Sequence, residues 1–586
     1  MFKLFRYLGK REWAMAGCAL LFILGQVWLD LRLPEYMSEI TVLVQTEGSA
    51  MGDILHAGGL MLLCALGSMV LAIATGFLTA VVSASLTRNL QSALYHKVLS
   101  FGSEEMGRFS TASLITRTTN DVTQVQMVLS MGLQMLVKAP VTAVLAILKI
   151  QEKGSPQWTL LTAAAVILLL VMLGLQMVYV LPKFKKVQKL TDNLNRIMRE
   201  NLTGLRVVRA YNAENYQEGK FTGANDALTN NNLKAGRATS LMGPFMSLVM
   251  NGVSLGIYWI GAYIIEAAGM GDKLTIFSNM VVFSSYAMQV IMSFLMLSII
   301  FVLYPRAQVS AQRIREVLDT APTMQNGTET RGDGMEGEVV FDHVSFRYPG
   351  GDGYVLEDIS FTTHKGETVA FIGATGSGKS SLVNLIPRLY DVSEGSVKVD
   401  GVDVRDYDRE ALRNKLGYVS QKAVLFAGDI RGNITLGENG KGPQDGETVD
   451  KALSIAQASE FVDNLLDGVN APVAQGGANF SGGQKQRLSI ARAVARKPEI
   501  YIFDDSFSAL DYKTDRVLRE RLKTETAGVT TLIVAQRIGT IMDADRIVVL
   551  DDGKAVGIGT HKELLKTCPV YQEIAASQLS KEELER

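Results

Sequence analysis

Two adjacent carboxylates, Asp504 and Asp505, follow the apolar run Ile500-Tyr501-Ile502-Phe503. Such a run reads as a buried strand that presents both side chains at its end. A second strand, Val369-Ala370-Phe371-Ile372, runs into Gly373-Ala374-Thr375-Gly376-Ser377-Gly378-Lys379-Ser380. Glycines at this spacing let backbone N–H groups close on phosphates at a helix N-terminus. Lys379 reaches the β- and γ-phosphates, Ser380 ligates magnesium, and Asp504 completes the metal site. The chemistry these residues point to is binding and hydrolysis of ATP with Mg2+.

The hydrolytic half of that site departs from expectation. A Glu is wanted after the magnesium Asp, to handle the attacking water. Asp505 is one methylene shorter, which withdraws its carboxylate by about 1.5 Å. A base must come within hydrogen-bond reach of its water, and a small misplacement costs about a hundredfold in rate. Gln536, in Val534-Ala535-Gln536-Arg537, stands where a switch His is wanted. Its amide donates a hydrogen bond but cannot titrate. Two departures in one site predict slow turnover there.

Two kinds of element must position these residues. Of the 586 residues, 47% are hydrophobic, and the apolar stretches crowd the chain before Tyr304. Six are long enough to cross a bilayer, which takes about 20 apolar residues. They lie near 13–33, 57–84, 131–150, 158–181, 241–268 and 276–304. Lys3, Arg6, Lys10 and Arg11 precede the first, and no clear small-residue cleavage site follows, so it is read as a retained span. Met1 to Tyr7 is expected to lie along the membrane surface. No Lys or Arg falls between Arg32 and Arg88, whereas Lys183, Lys186, Lys189, Arg196 and Arg199 crowd the fourth connection. This asymmetry predicts a multi-pass cell-membrane protein with both termini cytoplasmic. The net charge of −1 offers nothing to nucleic acid, and Cys18, Cys64 and Cys568 show no metal or disulfide spacing. The connections 85–130 and 182–240 carry helical periodicity with few breakers, so the spans are expected to continue unbroken into the cytoplasm and turn back. The expected boundaries are a membrane domain over 1–315, a linker over 316–336 with Asn326-Gly327 and Arg331-Gly332-Asp333-Gly334, an ATPase domain over 337–576 and a tail over 577–586.

Phe480-Ser481-Gly482-Gly483-Gln484-Lys485-Gln486-Arg487 resembles the signature of ATP-binding-cassette (ABC) ATPases, with Phe where Leu is commoner. Other matches fall in the family's order: Tyr348 in Phe346-Arg347-Tyr348-Pro349, Gln421 in Val419-Ser420-Gln421, and Ser508-Ala509-Leu510-Asp511. With six spans ahead of one such domain, the chain resembles an ABC exporter half-transporter over nearly its whole length. The resemblance implies a six-helix membrane domain with long cytoplasmic extensions, followed by an α/β P-loop ATPase domain. It implies that Tyr348 stacks on adenine, that Gln421 joins the magnesium and catalytic site, and that Gly373 and Thr375 to Ser381 hold phosphates. It further implies a head-to-tail dimer, in which Ser481, Gly482, Gly483 and Gln484 contact ATP held by the partner. Short helices near Phe109–Leu114 and Glu214–Glu218 would carry closure to the spans. Gln475 stands where many exporters have Glu.

The signature is intact while Asp505 and Gln536 are not, which resembles one subunit of heterodimeric bacterial exporters. The partner would be a non-identical half-transporter carrying the catalytic Glu and the switch His. A homodimeric lipid flippase and an ATP-gated protein that does not pump are the alternatives. The spans hold few charges, which suits apolar or amphipathic cargo. Lys138 is expected near the inner interface, snorkelling, and Asp30 and Arg32 at the outer end of the first span, as an outer gate. Met242, Met246 and Met250, and Met280, Met288, Met292 and Met296, mark helix faces that suit either packing or an adaptable cargo surface. With no peptidase-like segment, a leader-processing peptide exporter is disfavoured.

Overall fold

The computed structural model describes residues 1–46, 48–153, 155–269, 272–437, 442 and 444–579. Most of the expected tail, residues 580–586, lies outside the described residues. The chain forms two compact units, Met1–Leu99 with Thr111–Thr320, and Ser100–Ser110 with Ala321–Arg586.

The first unit is helical. Its long helices are α1 (Lys10–Gln45) and α2 (Met51–Leu99), and α3 (Ser103–Arg108) is a short helix of the second unit. There follow α4 (Thr111–Thr116), α5 (Val122–Lys153), α6 (Pro156–Thr203), α7 (Leu205–Ala210), α8 (Glu214–Ser240), α9 (Met242–Ala267) and α10 (Lys273–Asp319). Six stretches in these helices are long and apolar enough to cross a membrane, and the six predicted spans fall on α1, α2, α5, α6, α9 and α10, the fifth overrunning α9 by one residue at each end. The 49 residues of α2 rise about 74 Å, more than twice a hydrocarbon core of about 30 Å, so the helix runs on well past the bilayer. In lipid, helices gain little from apolar burial and rely on close approach at small residues. A Cβ added at Gly25 of α1 would stand 3.2 Å from Leu71, and one at Gly67 of α2 would stand 3.1 Å from Leu29. Trp158 and Phe283, with ring centroids 5.4 Å apart, sit in the buried core with Ile23, Val27 and Tyr286.

Several expectations are corrected here. The returning arms are not unbroken. A π-turn over Arg117–Asp121 joins α4 to α5, and α8 ends one residue before Leu241. Around the π-turn, Thr116, Thr118, Thr119 and Thr123 bond back to carbonyls four residues earlier, which competes with regular helix. The turn is held from α10: Asp121 accepts from Ser310 at 2.8 Å, and Arg117 donates to the Arg313 carbonyl at 2.6 Å. The short helix α4 at Thr111–Thr116 overlaps the one expected near 109–114, whereas 214–218 is the first turn of the long α8. Two further short helices precede these: the Glu105 carboxylate takes the Gly102 N–H at 2.8 Å at the start of α3, and Gly204 breaks α6 from α7. Phe2–Tyr7 is a tight helical turn whose neighbours Leu4 and Leu8 are buried, and the Tyr7 carbonyl accepts from Asn89 of α2 at 2.9 Å. Lys138 does not snorkel away from Asp30. Its ammonium lies 3.3 Å from the Asp30 carboxylate, so the two share one depth, because a cation among apolar helices needs a counter-charge. Met246 and Met280 are buried in helix packing.

The second unit is an α/β domain. Its strands are β1 (Val339–Phe346), β2 (Leu356–Thr363), β3 (Thr368–Gly373), β4 (Glu394–Val399), β5 (Val402–Asp403), β6 (Leu416–Val419), β7 (Gly428–Asp429), β8 (Pro472–Val473), β9 (Ile500–Asp504), β10 (Thr530–Val534), β11 (Arg546–Asp551) and β12 (Lys554–Gly559). One sheet has the order β2-β1-β4-β5 and is antiparallel. The other has the order β12-β11-β3-β10-β9-β6 and is parallel apart from β12. Along β3, Val369 and Phe371 enter one core while Ala370 and Ile372 enter the other. Burial on both faces explains the unbroken apolar runs read from the sequence.

Candidate nucleotide site

In an open parallel sheet the strands' carboxyl ends face a common crevice, and ligands bind there. Register decides which residues meet. Val534 pairs with Phe371 on one side and with Asp504 on the other, and Val419 pairs with Phe503. The phosphate loop after β3, Asp504 and Asp505 at the end of β9, Gln536 after β10 and Gln421 after β6 are thereby drawn to one edge.

The loop leads into helix α11 (Lys379–Leu385). Gly378 has φ +94°, and a Cβ there would stand 2.7 Å from Leu356 and 2.9 Å from the Val355 carbonyl. Only glycine fits that turn. Thr375 and Gly376 are exposed at the loop's tip, while Ser377 is buried. The Lys379 ammonium donates to the Gly373 and Ala374 carbonyls at 2.9 and 2.7 Å and to Ser377 at 3.3 Å. Burial lowers its pKa, opposed by the charges of Asp505 and Asp504.

Ser380 donates to Asp504 Oδ1 at 2.8 Å. Burial raises the pKa of Asp504; the Ser380 bond opposes this, Asp505 adds to it, and Lys379 opposes it. A hydroxyl and a carboxylate converging at the end of a strand form an oxygen donor pair that suits magnesium. Asp505 turns into the left-handed region at φ +47°, which Asp tolerates better than most residues. Its Oδ2 accepts from Gln536 at 2.8 Å and from Gln421 at 3.3 Å. Both amides thus converge on the one oxygen expected to serve as base.

Tyr348 donates or accepts at the Ser381 hydroxyl, 2.8 Å away, so Ser381 faces the tyrosine. The Tyr348 ring meets Phe346 and Tyr390 edge-on, at 4.9 and 5.2 Å between centroids. Tyr390 escaped the sequence reading because no motif spacing marks it. Among the described residues no hydrogen bond joins the signature to the phosphate loop, although Gln486 donates to the Ser420 carbonyl beside Gln421 at 3.4 Å. Ser481 caps the helix Gly482–Ala495: its hydroxyl accepts from the Gln484 N–H at 3.3 Å, and Gln484 accepts the Ser481 N–H at 2.9 Å. Ser481 and Gly482 are exposed, as is Gln475. A Cβ at Gly483 would stand 3.2 Å from the Ala509 carbonyl, which ties the signature helix to the turn after Asp505.

A phosphate loop, a metal-site carboxylate and an exposed signature, carried behind six membrane-crossing helices, define an ATP-hydrolysing membrane transporter. Residues 17–306 match the ABC transporter transmembrane region and residues 356–508 match ABC transporter. An uncharacterized ABC transporter ATP-binding protein of Mycobacterium bovis is 40% identical over 556 residues, covering 93% of each chain. One from Bacillus subtilis is 36% identical over 579 residues, covering 97% of each. The ATP-dependent lipid A-core flippase of Pseudomonas aeruginosa is 32% identical over 508 residues, 86% of this chain and 82% of that one. A bacterial Atm1-family ABC exporter solved with ATP bound shares the fold, with a TM-score of 0.80 at 23% identity over 98% of this chain and 99% of that one. The chain belongs to the ABC transporter family, as an exporter half-transporter that couples ATP hydrolysis to transport across the cell membrane.

Proposed function

We propose that this chain is the slow-site subunit of a heterodimeric ABC exporter that moves hydrophobic or amphipathic compounds outward. The observation that carries the reading is the double amide contact on Asp505 Oδ2. A carboxylate oxygen that already accepts from Gln536 and Gln421 has its lone pairs engaged and little room left for a water, and its short side chain stands back from the γ-phosphate. Gln536 supplies no titratable group in place of a histidine. Ser481, Gly482, Gly483 and Gln484 form a complete signature that serves the partner's ATP.

In this reading Gly373, Thr375, Gly376, Ser377, Gly378 and Lys379 cradle the phosphates, Tyr348 packs on adenine, and Ser381 fixes Tyr348. Ser380, Asp504 and Gln421 hold Mg2+, which neutralises charge developing between the β- and γ-phosphates. Both termini lie in the cytoplasm. In sequence the membrane domain runs over 1–315, interrupted by residues 100–110 that pack with the second unit, followed by the linker 316–336, the ATPase domain 337–576 and the tail 577–586; the start of β1 at Val339 supports the start of the ATPase domain. The test is ATP hydrolysis by the purified chain, alone and with candidate partners that carry Glu and His at the matching positions. Slow hydrolysis alone and a large rise with one partner is the expected result. Fast hydrolysis by the pure homodimer would end this reading. It would favour the alternative of a homodimeric lipid flippase; the Pseudomonas relative is an ATP-dependent lipid A-core flippase.

A further inference from the structure

Within the membrane helices, α1, α2, α5 and α10 enclose a cavity of about 180 Å³. Asp30 lies fifteen residues before the end of α1 at Gln45, and Lys138 fifteen before the end of α5 at Lys153. At about 1.5 Å per residue, each stands about 22 Å from the end of its helix. The cavity wall is apolar at Ile23 and Met296 and polar at Gln26, Thr75, Gln134 and Lys138. Lys138 is its one charged lining residue among the described residues. The Thr75 hydroxyl is fully buried on that wall and meets no hydrogen-bond partner among the described residues. An unmatched hydroxyl in hydrocarbon is costly unless something fills its place. Asp30 sits behind Lys138, with one carboxylate oxygen 3.3 Å from the ammonium and the other bonded by the Ser68 hydroxyl.

We propose that this cavity is a cargo subsite for the acidic head of an amphiphile, a phosphate or carboxylate on an apolar tail. The inference rests on the reading of the chain as an exporter of amphipathic compounds, and names their class. An ammonium has three donors. Asp30 engages one, and the others remain for an anion in the cavity. Thr75 and the amides of Gln26 and Gln134 supply further donors, while Ile23 and Met296 receive the first carbons of the tail. Asp30 keeps Lys138 neutralised in an empty site and, still bonded by Ser68, retains a partner when the lysine leans toward cargo. The cavity holds about six waters at about 30 Å³ each, which is room for a phosphate head and too little for a whole lipid. The position of the charge selects the head, and the surrounding apolar helices take the rest.

The test is a thermal melt of the purified full-length transporter in maltoside micelles, without nucleotide, titrated with dodecyl phosphate. The expected result is a saturable rise in melting temperature, with inorganic phosphate and dodecylphosphocholine giving little. Lys138→Gln should weaken the response at least tenfold. Asp30→Asn should strengthen it several-fold, because the cation loses its competitor. Should either single variant fail to fold, the double variant Asp30→Asn with Lys138→Gln removes both charges together, which buried ion pairs tolerate better, and it too should lose the response. An unchanged response in the double variant, or an equal response to inorganic phosphate or to the zwitterion, would overturn the proposal. Because no ATP is present, Lys379→Ala should leave the melt shift intact. The slow-site reading can therefore fail while this one stands, and the reverse.

Discussion

The ATPase domain has two functional edges, and they differ in kind. At the phosphate loop, Ser377, Lys379, Asp504 and Asp505 are buried and bonded within the cluster: Lys379 donates to Ser377, Asp504 accepts from Ser380, and Asp505 accepts from Gln536 and Gln421. At the signature, Ser481 and Gly482 are exposed, and Ser481 and Gln484 bond each other as a helix cap. In the proposed reading, the first edge carries Asp505 and Gln536 where a hydrolytic site would carry Glu and His. The second departs nowhere that would touch a nucleotide. In the proposed reading, the exposed and intact edge serves ATP that the partner holds.

The sharpest way to break that contrast is to remove the partner's catalytic Glu. If this chain's own edge hydrolyses poorly, turnover of the heterodimer should fall by about a hundredfold or more, the usual worth of a general base, with ATP left trapped. Full activity after that change would make Asp505 a competent base. Next in size is Ser481→Ala. It should slow the partner's site by about tenfold to a hundredfold, as loss of a donor to transferring phosphate does, while nucleotide bound at this chain's own loop, measured by photolabelling, stays unchanged. Equal effects at both sites would dissolve the distinction between the edges.

Lys379→Ala should weaken nucleotide binding at its own loop by about 1.5–3 kcal/mol, the worth of a charge-assisted hydrogen bond. Total turnover should fall less than with Ser481→Ala. Smaller still is the repair of the poor edge. In a complex lacking the partner's Glu, Asp505→Glu with Gln536→His should restore measurable hydrolysis, and more than the two single changes summed, because both groups act on one water and one phosphate.

The least effect is expected away from both edges. Glu105 is buried, which by itself would raise its pKa, but hydrogen bonds from the Thr323 N–H and hydroxyl and from Gly102 hold it below the ordinary carboxylate range. Its contribution is therefore full above the unfolded carboxylate pKa and disappears as pH falls through the lowered value. Glu105→Gln should cost about 1 kcal/mol, and acid should abolish the difference in melts between variant and wild type.

Much of this architecture was legible because its signals are contiguous. The six spans show as apolar runs, the buried strands as short ones, and Gly373 to Ser380 as a single motif whose strand and helix flank it directly. What stayed hidden depends on register and distance. That Gln536 bonds Asp505 follows from the pairing of Val534 with Asp504, which no local pattern reveals. Lys138 and Asp30 lie on different helices, and their meeting depends on how α1 and α5 are turned. The helix α3 gave no signal because its cap is a glycine, and the Glu that completes it sits inside the helix it begins.

Residues 100–110 belong with the ATPase domain although they are coded between two membrane spans. A fragment beginning at Ala321 would therefore be an unfinished module. The Thr323 N–H and hydroxyl would lose the Glu105 carboxylate that they donate to, and Met324, whose methyl crowds Gly102, would face water. Chimaeras that exchange the ATPase domain by cutting only at the linker would carry a foreign segment into this seat. A transplant should travel with its own eleven residues, grafted into the first cytoplasmic loop, if the recipient's membrane helices are to respond to it.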